Sequence, residues 1–183
     1  MTRIAPLDPP YAPEIQAAFD QIMPLGVDPL VLFRTLAVNE RVYQRFRAGG
    51  LLDRGLLTLR QREIVIDRTC GLNRCEYEWG VHIAFFAAKV KLTPPQIVAT
   101  ADGGEADWAS DEQALIAACE ELDATRTISD ALWQKLARHF APAQILEIIA
   151  LVGFYRTVSL HANALRLPLE PFAARFPASP ISG

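Results

Sequence analysis

The stretch Arg62–Phe86, REIVIDRTCGLNRCEYEWGVHIAFF, decides the fold. Its apolar residues recur at intervals of three and four, with no run of alternating β-branched residues, so it reads as helix rather than strand. Thr58, followed three residues later by Gln61, has the form of a capping box. It opens a helix carrying Leu59, Glu63, Ile64, Ile66 and Asp67 as far as Gly71. Asn73 begins the next, through Cys75, Glu78, Trp79, His82, Phe85 and Phe86 to about Lys91. The short break between them predicts a tight helical hairpin.

Working outward, the same period continues and the chain is predicted to be all-α, with about eight helices. Residues 1–12 carry several prolines and read as an extended arm. A first helix covers about Pro13 to Met23, closed by Pro24 and Gly26. Asp28 caps a second, which carries Leu30, Phe33, Ala37, Val42 and Phe46 to Gly49-Gly50. Thr93 with Gln96 opens a short helix that stops at Asp102-Gly103-Gly104, and Ser110 with Gln113 opens another. Ser129 caps a helix, and Pro142 begins a long one to about Leu165. Residues 59–91 and 130–165 share a plan of short helix, break and longer helix. From Pro168 to 183 a proline-rich tail is expected to wander over the surface or clasp a neighbour. Nothing separates domains, so residues 1–183 read as one.

At 183 residues, 51% of them hydrophobic and 21% charged, the chain is neither disordered nor low in complexity. A net charge of -3 provides no cationic field for a nucleic acid partner. Three cysteines, Cys70, Cys75 and Cys119, and an N-terminus without a basic-then-apolar profile suggest a reduced, cytoplasmic protein. The longest nearly uncharged run, Ile148–Tyr155, falls short of the roughly 20 apolar residues that cross a bilayer, so no membrane segment is expected. The apolar surplus points to subunit contacts.

On a helix beginning at Asn73, Cys75, Glu78 and His82 share one face, a nucleophile, a carboxylate and an imidazole within mutual reach. Glu63 and Asp67 lie one turn apart on the preceding helix, with Glu63 aimed toward Cys75. A carboxylate in so apolar a setting should hold its proton more tightly, as an acid–base catalyst requires. Structural alternatives stand beside each. Glu78 and His82 also fit a solvated pair worth about 0.2–0.5 kcal/mol, and Cys75 and Cys119 fit small core residues. His139 fits a helix C-terminus, where an imidazolium favours the dipole. Cys75, Glu78 and His82 lack the two histidines or two cysteines of a usual metal site, so neither metal nor cofactor is expected. Gly103-Gly104 has no following lysine to cradle phosphate, and no strand-turn-helix elbow surrounds a serine.

Glu63, eleven intervening residues, Cys75, two residues, then Glu78 four before His82 resembles the signature of the carboxymuconolactone decarboxylase and AhpD-like alkylhydroperoxidase superfamily. CEYEWGVH, with RTLAVNERV upstream and ALVGFYRTVSLHANALRLPLE downstream, is similar to its decarboxylase-like branch over about Pro29 to Glu170. The resemblance implies an AhpD-like helical bundle with a central hairpin, assembled as a homotrimer or homohexamer with sites near subunit interfaces. Hydroperoxidase members use two cysteines separated by two residues. Here the first corresponds to Cys75, while Glu78 stands at the second, and Cys70 is the nearest replacement thiol. The resemblance therefore implies cofactor-independent proton transfer by Glu63, Glu78 and His82 on a small carboxylated lactone or dienoate, with Cys75 as relay or vestige. Arg68 and Arg156 are the candidates for carboxylate recognition, and Trp79, Tyr155 and His161 are further substrate-binding positions. A thiol peroxidase attacking through Cys75 and a non-catalytic oligomeric binding module are the alternatives.

Overall fold

Helices account for all the regular structure in the computed structural model, which describes residues 2–24, 26–51 and 53–178. Among the described residues there are nine: α1 Pro13–Asp20, α2 Val31–Leu36, α3 Glu40–Gly49, α4 Leu59–Leu72, α5 Glu76–Phe86, α6 Pro94–Asp102, α7 Ser110–Thr125, α8 Asp130–His139 and α9 Pro142–Leu165. The capping boxes at Thr58–Gln61 and Thr93–Gln96 form as the sequence predicts, and Ser129 caps α8.

Helix α4 is the axis of the molecule, packed against α5, α6, α7 and α9. Every residue from Glu63 to Gly71 is buried, so the helix is covered on all sides and any charge it carries inward must find a partner there. Gly71 sets the closest approach: a Cβ there would lie 2.1 Å from the Thr100 carbonyl oxygen of α6. Around this axis Ile64, Val65 and Ile66 meet Leu115 and Ala118 of α7 and Ile148 and Leu151 of α9 in the core.

Several boundaries differ from the sequence reading. The second predicted helix is two, α2 and α3, because the Asn39 side chain accepts a hydrogen bond from the Val42 N–H (3.2 Å) and starts a new helix there. It also begins at Val31, with Leu30 as cap, not at Asp28. Arg74 takes a left-handed conformation (φ 50°) and Cys75 is the N-cap, so α5 starts at Glu76 rather than Asn73. It ends at Phe86, before a turn closed by left-handed Lys91. Hairpin α4–α5 therefore has its longer helix first, unlike α8–α9. Helix α7 is capped at Ala109, whose N–H donates to the Glu112 carboxylate (3.2 Å), not at Ser110.

The described parts of both terminal segments are docked on the bundle. Arg3 donates its N–H to the Leu165 carbonyl (2.9 Å), and Arg34 pairs with Asp8 (2.7 Å). The C-terminal segment runs back over α5 of its own chain: Ala174 N–H donates to the Gly80 carbonyl (3.0 Å), and Phe172 and Phe176 stack on Phe85 and Trp79, each at 5.0 Å. A Cβ at Gly80 would lie 2.2 Å from the Ala174 oxygen, so glycine there is what admits the strap. Met1 of the arm and residues 179–183 of the tail lie outside the described residues.

Among the described helices, α9 is long and apolar enough to cross a membrane by length and composition, which a count of uncharged residues overlooked. Ile145, Ile148, Leu151, Tyr155 and Val158 face the core. Leu146 and Leu160, 69% and 61% exposed, face outward.

Candidate active site

Hairpin α4–α5 brings Glu63 and His82 together at the centre of the bundle. His82 Nδ1 lies 2.7 Å from Glu63 Oε2, and its Nε2 lies 3.4 Å from Glu78 Oε1, one turn earlier on α5. The other oxygen of Glu63 accepts from Nε and Nη2 of Arg62, both at 3.1 Å. The imidazole is also held by rings, with Tyr155 of α9 edge-on at 5.2 Å and Phe86 at 5.5 Å. Burial works against a charge on His82, but the two carboxylates outweigh it and raise its pKa to about 10. At neutral pH the group is an imidazolium clamped between two acids.

Glu78 differs from Glu63 in what its second oxygen meets. Oε2 is buried without a hydrogen-bond partner, and the residue lines a cavity of about 710 Å³. Leu32, Phe46, Phe154 and Tyr155 give that cavity an apolar, ring-lined wall, and Arg47 and Asp53 add charge. A second cleft, of about 500 Å³, lies between the N-terminal arm and α1 and holds none of these acid–base groups.

The sequence placed Cys75 inside a helix with Glu78 and His82, whereas it is the N-cap of α5, one residue before the helix begins. Its N–H donates to the Cys70 carbonyl (2.9 Å), which sets the two cysteines side by side. All three cysteines are free, and none is exposed to solvent. Burial pushes the Cys75 thiol up to about 11 and that of Cys119 to about 12, and it raises Cys70 as well. They are thiols, not thiolates, at neutral pH.

Of the predicted substrate-binding residues, Tyr155 reaches the site and the others do not. Arg68 is buried against α7, its Nη2 2.8 Å from Glu120 and its Nη1 3.4 Å from the Thr100 carbonyl. Arg156 pairs with Asp123 at 3.2 Å. Trp79 donates from Nε1 to the Thr100 hydroxyl (3.0 Å), and His161 turns back to the Thr157 carbonyl (2.8 Å). The cavity's cation is instead Arg47, at the end of α3. Only its place directly after the core residue Phe46 hinted at this in the sequence, and the facing helix had to be known first.

Asp67, one turn after Glu63, is buried with an unpartnered Oδ1. Burial, reinforced by the Glu63 charge and opposed by His82, drives its pKa well above the carboxylate range, as expected for an acid in this setting. Among the described residues, Glu63, Asp67 and His82 bring three metal-binding donor atoms within 4.8 Å of one another. A metal ion there would have to displace the proton between His82 and Glu63, and Arg62 already neutralises Glu63, so the set fits a proton better than a dication.

The profile of the carboxymuconolactone decarboxylase family matches residues 38–123, which include Glu63, Cys75, Glu78 and His82. Comparison with curated proteins gives no match. Among solved structures, an uncharacterized peroxidase-related protein with an alkylhydroperoxidase AhpD core from Ralstonia eutropha JMP134 is 20% identical, with a TM-score of 0.79 over 93% of this chain and 95% of that one. An uncharacterized peroxidase-related protein from Silicibacter sp. TM1040 is 19% identical, with a TM-score of 0.77 over 93% and 96%. The debrominase Bmp8, in complex with 2,3,4-tribromopyrrole, is 15% identical, with a TM-score of 0.71 over 94% of each chain. At these identities the likeness is one of fold, and it joins the family match and the Glu63–Cys75–Glu78–His82 spacing in one assignment. Residues 38–123 thus match the carboxymuconolactone decarboxylase family, in a chain whose fold is that of AhpD-like proteins.

Proposed function

We propose that the chain is a cofactor-independent enzyme that moves protons on a small carboxylated lactone or dienoate held in the cavity beside Glu78. The observation that carries this reading is the Glu78 oxygen, buried, unpartnered and on the cavity wall, with an imidazolium and a second carboxylate behind it. In an isomerisation, a substrate C–H bond breaks and the proton goes to Glu78. The electron pair is stabilised by the substrate's own carbonyl and by the charge of His82, and Glu78, after exchange with solvent, delivers a proton to a different carbon. In a decarboxylation, the C–C bond to the carboxylate breaks, carbon dioxide leaves, and the carbanion takes a proton that the His82 imidazolium passes on through Glu78, with His82 reprotonated from solvent. Glu63 holds His82 in place through either cycle, and Arg47 provides a positive charge for the substrate carboxylate. The apolar wall suits a flat ring, and a fold relative, the debrominase Bmp8, is in complex with tribromopyrrole.

A second reading, a thiol peroxidase, draws on the adjacency of Cys70 and Cys75. It needs both buried thiols to become accessible and ionised, so it ranks below proton transfer. Incubating the protein with carboxylated lactones and dienoates in heavy water, and following deuterium uptake and carbon dioxide release, tests the two together. Glu78→Gln and His82→Ala are each expected to lower turnover by about 100-fold or more, while Cys75→Ser retains it. Unchanged turnover in both acid–base variants, or peroxide consumption that Cys75→Ser abolishes, would overturn the proposal.

The reading includes self-association as a trimer or hexamer through the outward apolar face of α9, in a reducing cytoplasmic setting. Light scattering that finds a monomer at micromolar concentration would remove the first part.

A further inference from the structure

We infer that Asp67 is a further positioning residue of this site, a neutral carboxylic acid beside the charged Glu63, so that the cluster stores two protons, one on His82 and one on Asp67. The inference does not depend on which reaction the cavity supports. Asp67 is 1% exposed, and one oxygen each from Asp67 and Glu63 lies with a His82 ring nitrogen inside a 4.8 Å triangle. Oδ1 has no hydrogen-bond partner. The two cations nearby are engaged by other carboxylates, Arg62 by Glu63 at 3.1 Å and His82 by Glu63 at 2.7 Å and Glu78 at 3.4 Å. Two carboxylates within 4.8 Å of one another and out of water, with the nearby imidazolium already hydrogen-bonded to one of them, do not both stay ionised, and a proton on the other removes the conflict. It falls on Asp67 because the positive neighbours favour charge on Glu63.

Titratable groups reach α4 from several sides: His82 and Glu78 of α5, Tyr155 of α9, and Glu112, Cys119 and Glu120 of α7. The two α7 glutamates are paired with Arg60 and Arg68. Of all these, His82 is the one whose charge favours ionised Asp67, and burial together with Glu63 opposes it. The neutral acid has a positioning consequence. Uncharged, it adds no repulsion to Glu63, so that carboxylate stays with His82 and Arg62, and Glu78 is left to face the cavity.

The charge state of Asp67 is readable without a substrate. The His82 ring nitrogens are followed by NMR against pH in the wild type and in Asp67→Asn. Infrared spectra of protein carrying labelled aspartate report a neutral carboxylic acid directly. The expected result is an acid carbonyl band in the wild type that persists at neutral pH and is absent in Asp67→Asn, with the His82 midpoint moved by less than about half a pH unit, since one neutral group replaces another. If Asp67 were ionised, removing a charge about 5 Å away at an effective dielectric of about 20 would lower that midpoint by about two pH units. That shift, or absence of the band, would overturn the inference. So would one equivalent of zinc or manganese bound by wild type and not by Asp67→Asn. The labelled wild-type spectrum needs no variant, so a misfolded Asp67→Asn would leave the test intact.

Discussion

Helix α4 carries two sets of buried or half-buried charge, and they are finished differently. Toward α7, Arg60 and Arg68 are saturated: Arg60 binds Glu112, the Val90 and Lys91 carbonyls and Gln96, and Arg68 binds Glu120 and Thr100. Toward α5 and α9, Glu63 and His82 are paired, yet Glu78 Oε2 and Asp67 Oδ1 have no donor. A polar group that only braces a fold is satisfied, because an unmet buried donor or acceptor costs about 1–3 kcal/mol. The Thr69 and Tyr43 hydroxyls are unpartnered as well, so the contrast is one of charge: carboxylates and arginines are fully paired toward α7, carboxylates are incompletely paired toward α5 and α9, and that difference separates the chemistry from the scaffold.

The largest expected effect comes from breaking the incomplete side at its anchor. Glu63→Ala removes the carboxylate 2.7 Å from the buried imidazolium, and denaturant titration should show a loss of about 3–5 kcal/mol. Alkaline pH reaches the same pair without mutation. The folded pKa of His82, about 10, exceeds its ordinary 6.5, so its contribution is complete below about pH 6.5 and disappears as pH rises through 10. Stability measured from pH 7 to 10.5 should fall on the order of 4 kcal/mol, and His82→Gln should flatten that slope. A flat wild-type profile would mean the imidazole is neutral. On the complete side, Arg60→Ala should cost about 1–2 kcal/mol, seen as a lower thermal midpoint, with the His82 titration unmoved. Movement of that titration would join the two sides into one network. Smallest is Arg156→Ala, whose partner Asp123 is part-exposed: a change within about 0.5 kcal/mol and unaltered turnover would confirm that its charge serves the surface.

Much of this was legible in the sequence where physics is local. Periodicity and capping residues located α4, α6, α8 and α9, since a cap acts over three residues. The short break predicted the hairpin and aimed Glu63 at the Cys75 region, and the structure sets it against His82, further along α5. Cys75 escaped because its place depends on Arg74 entering the left-handed region, unusual for a residue with a side chain. Arg68 and Arg156 were chosen as free cations, but whether a cation is free depends on Glu120 and Asp123, which arrive from another helix. Arg47 was overlooked for the same reason. Asp67 was noticed beside Glu63, yet its isolation becomes visible only when every neighbouring donor is accounted for.

The strap across Gly80 also fixes an order of events during synthesis. Helix α5 leaves the ribosome long before Phe172 and Phe176 do, so the helix that bears Glu78 and His82 passes through a period with Trp79 and Phe85 uncovered. For the nascent chain this is the sticky surface, and a chaperone that recognises aromatic residues would find it there and lose it once the strap closes.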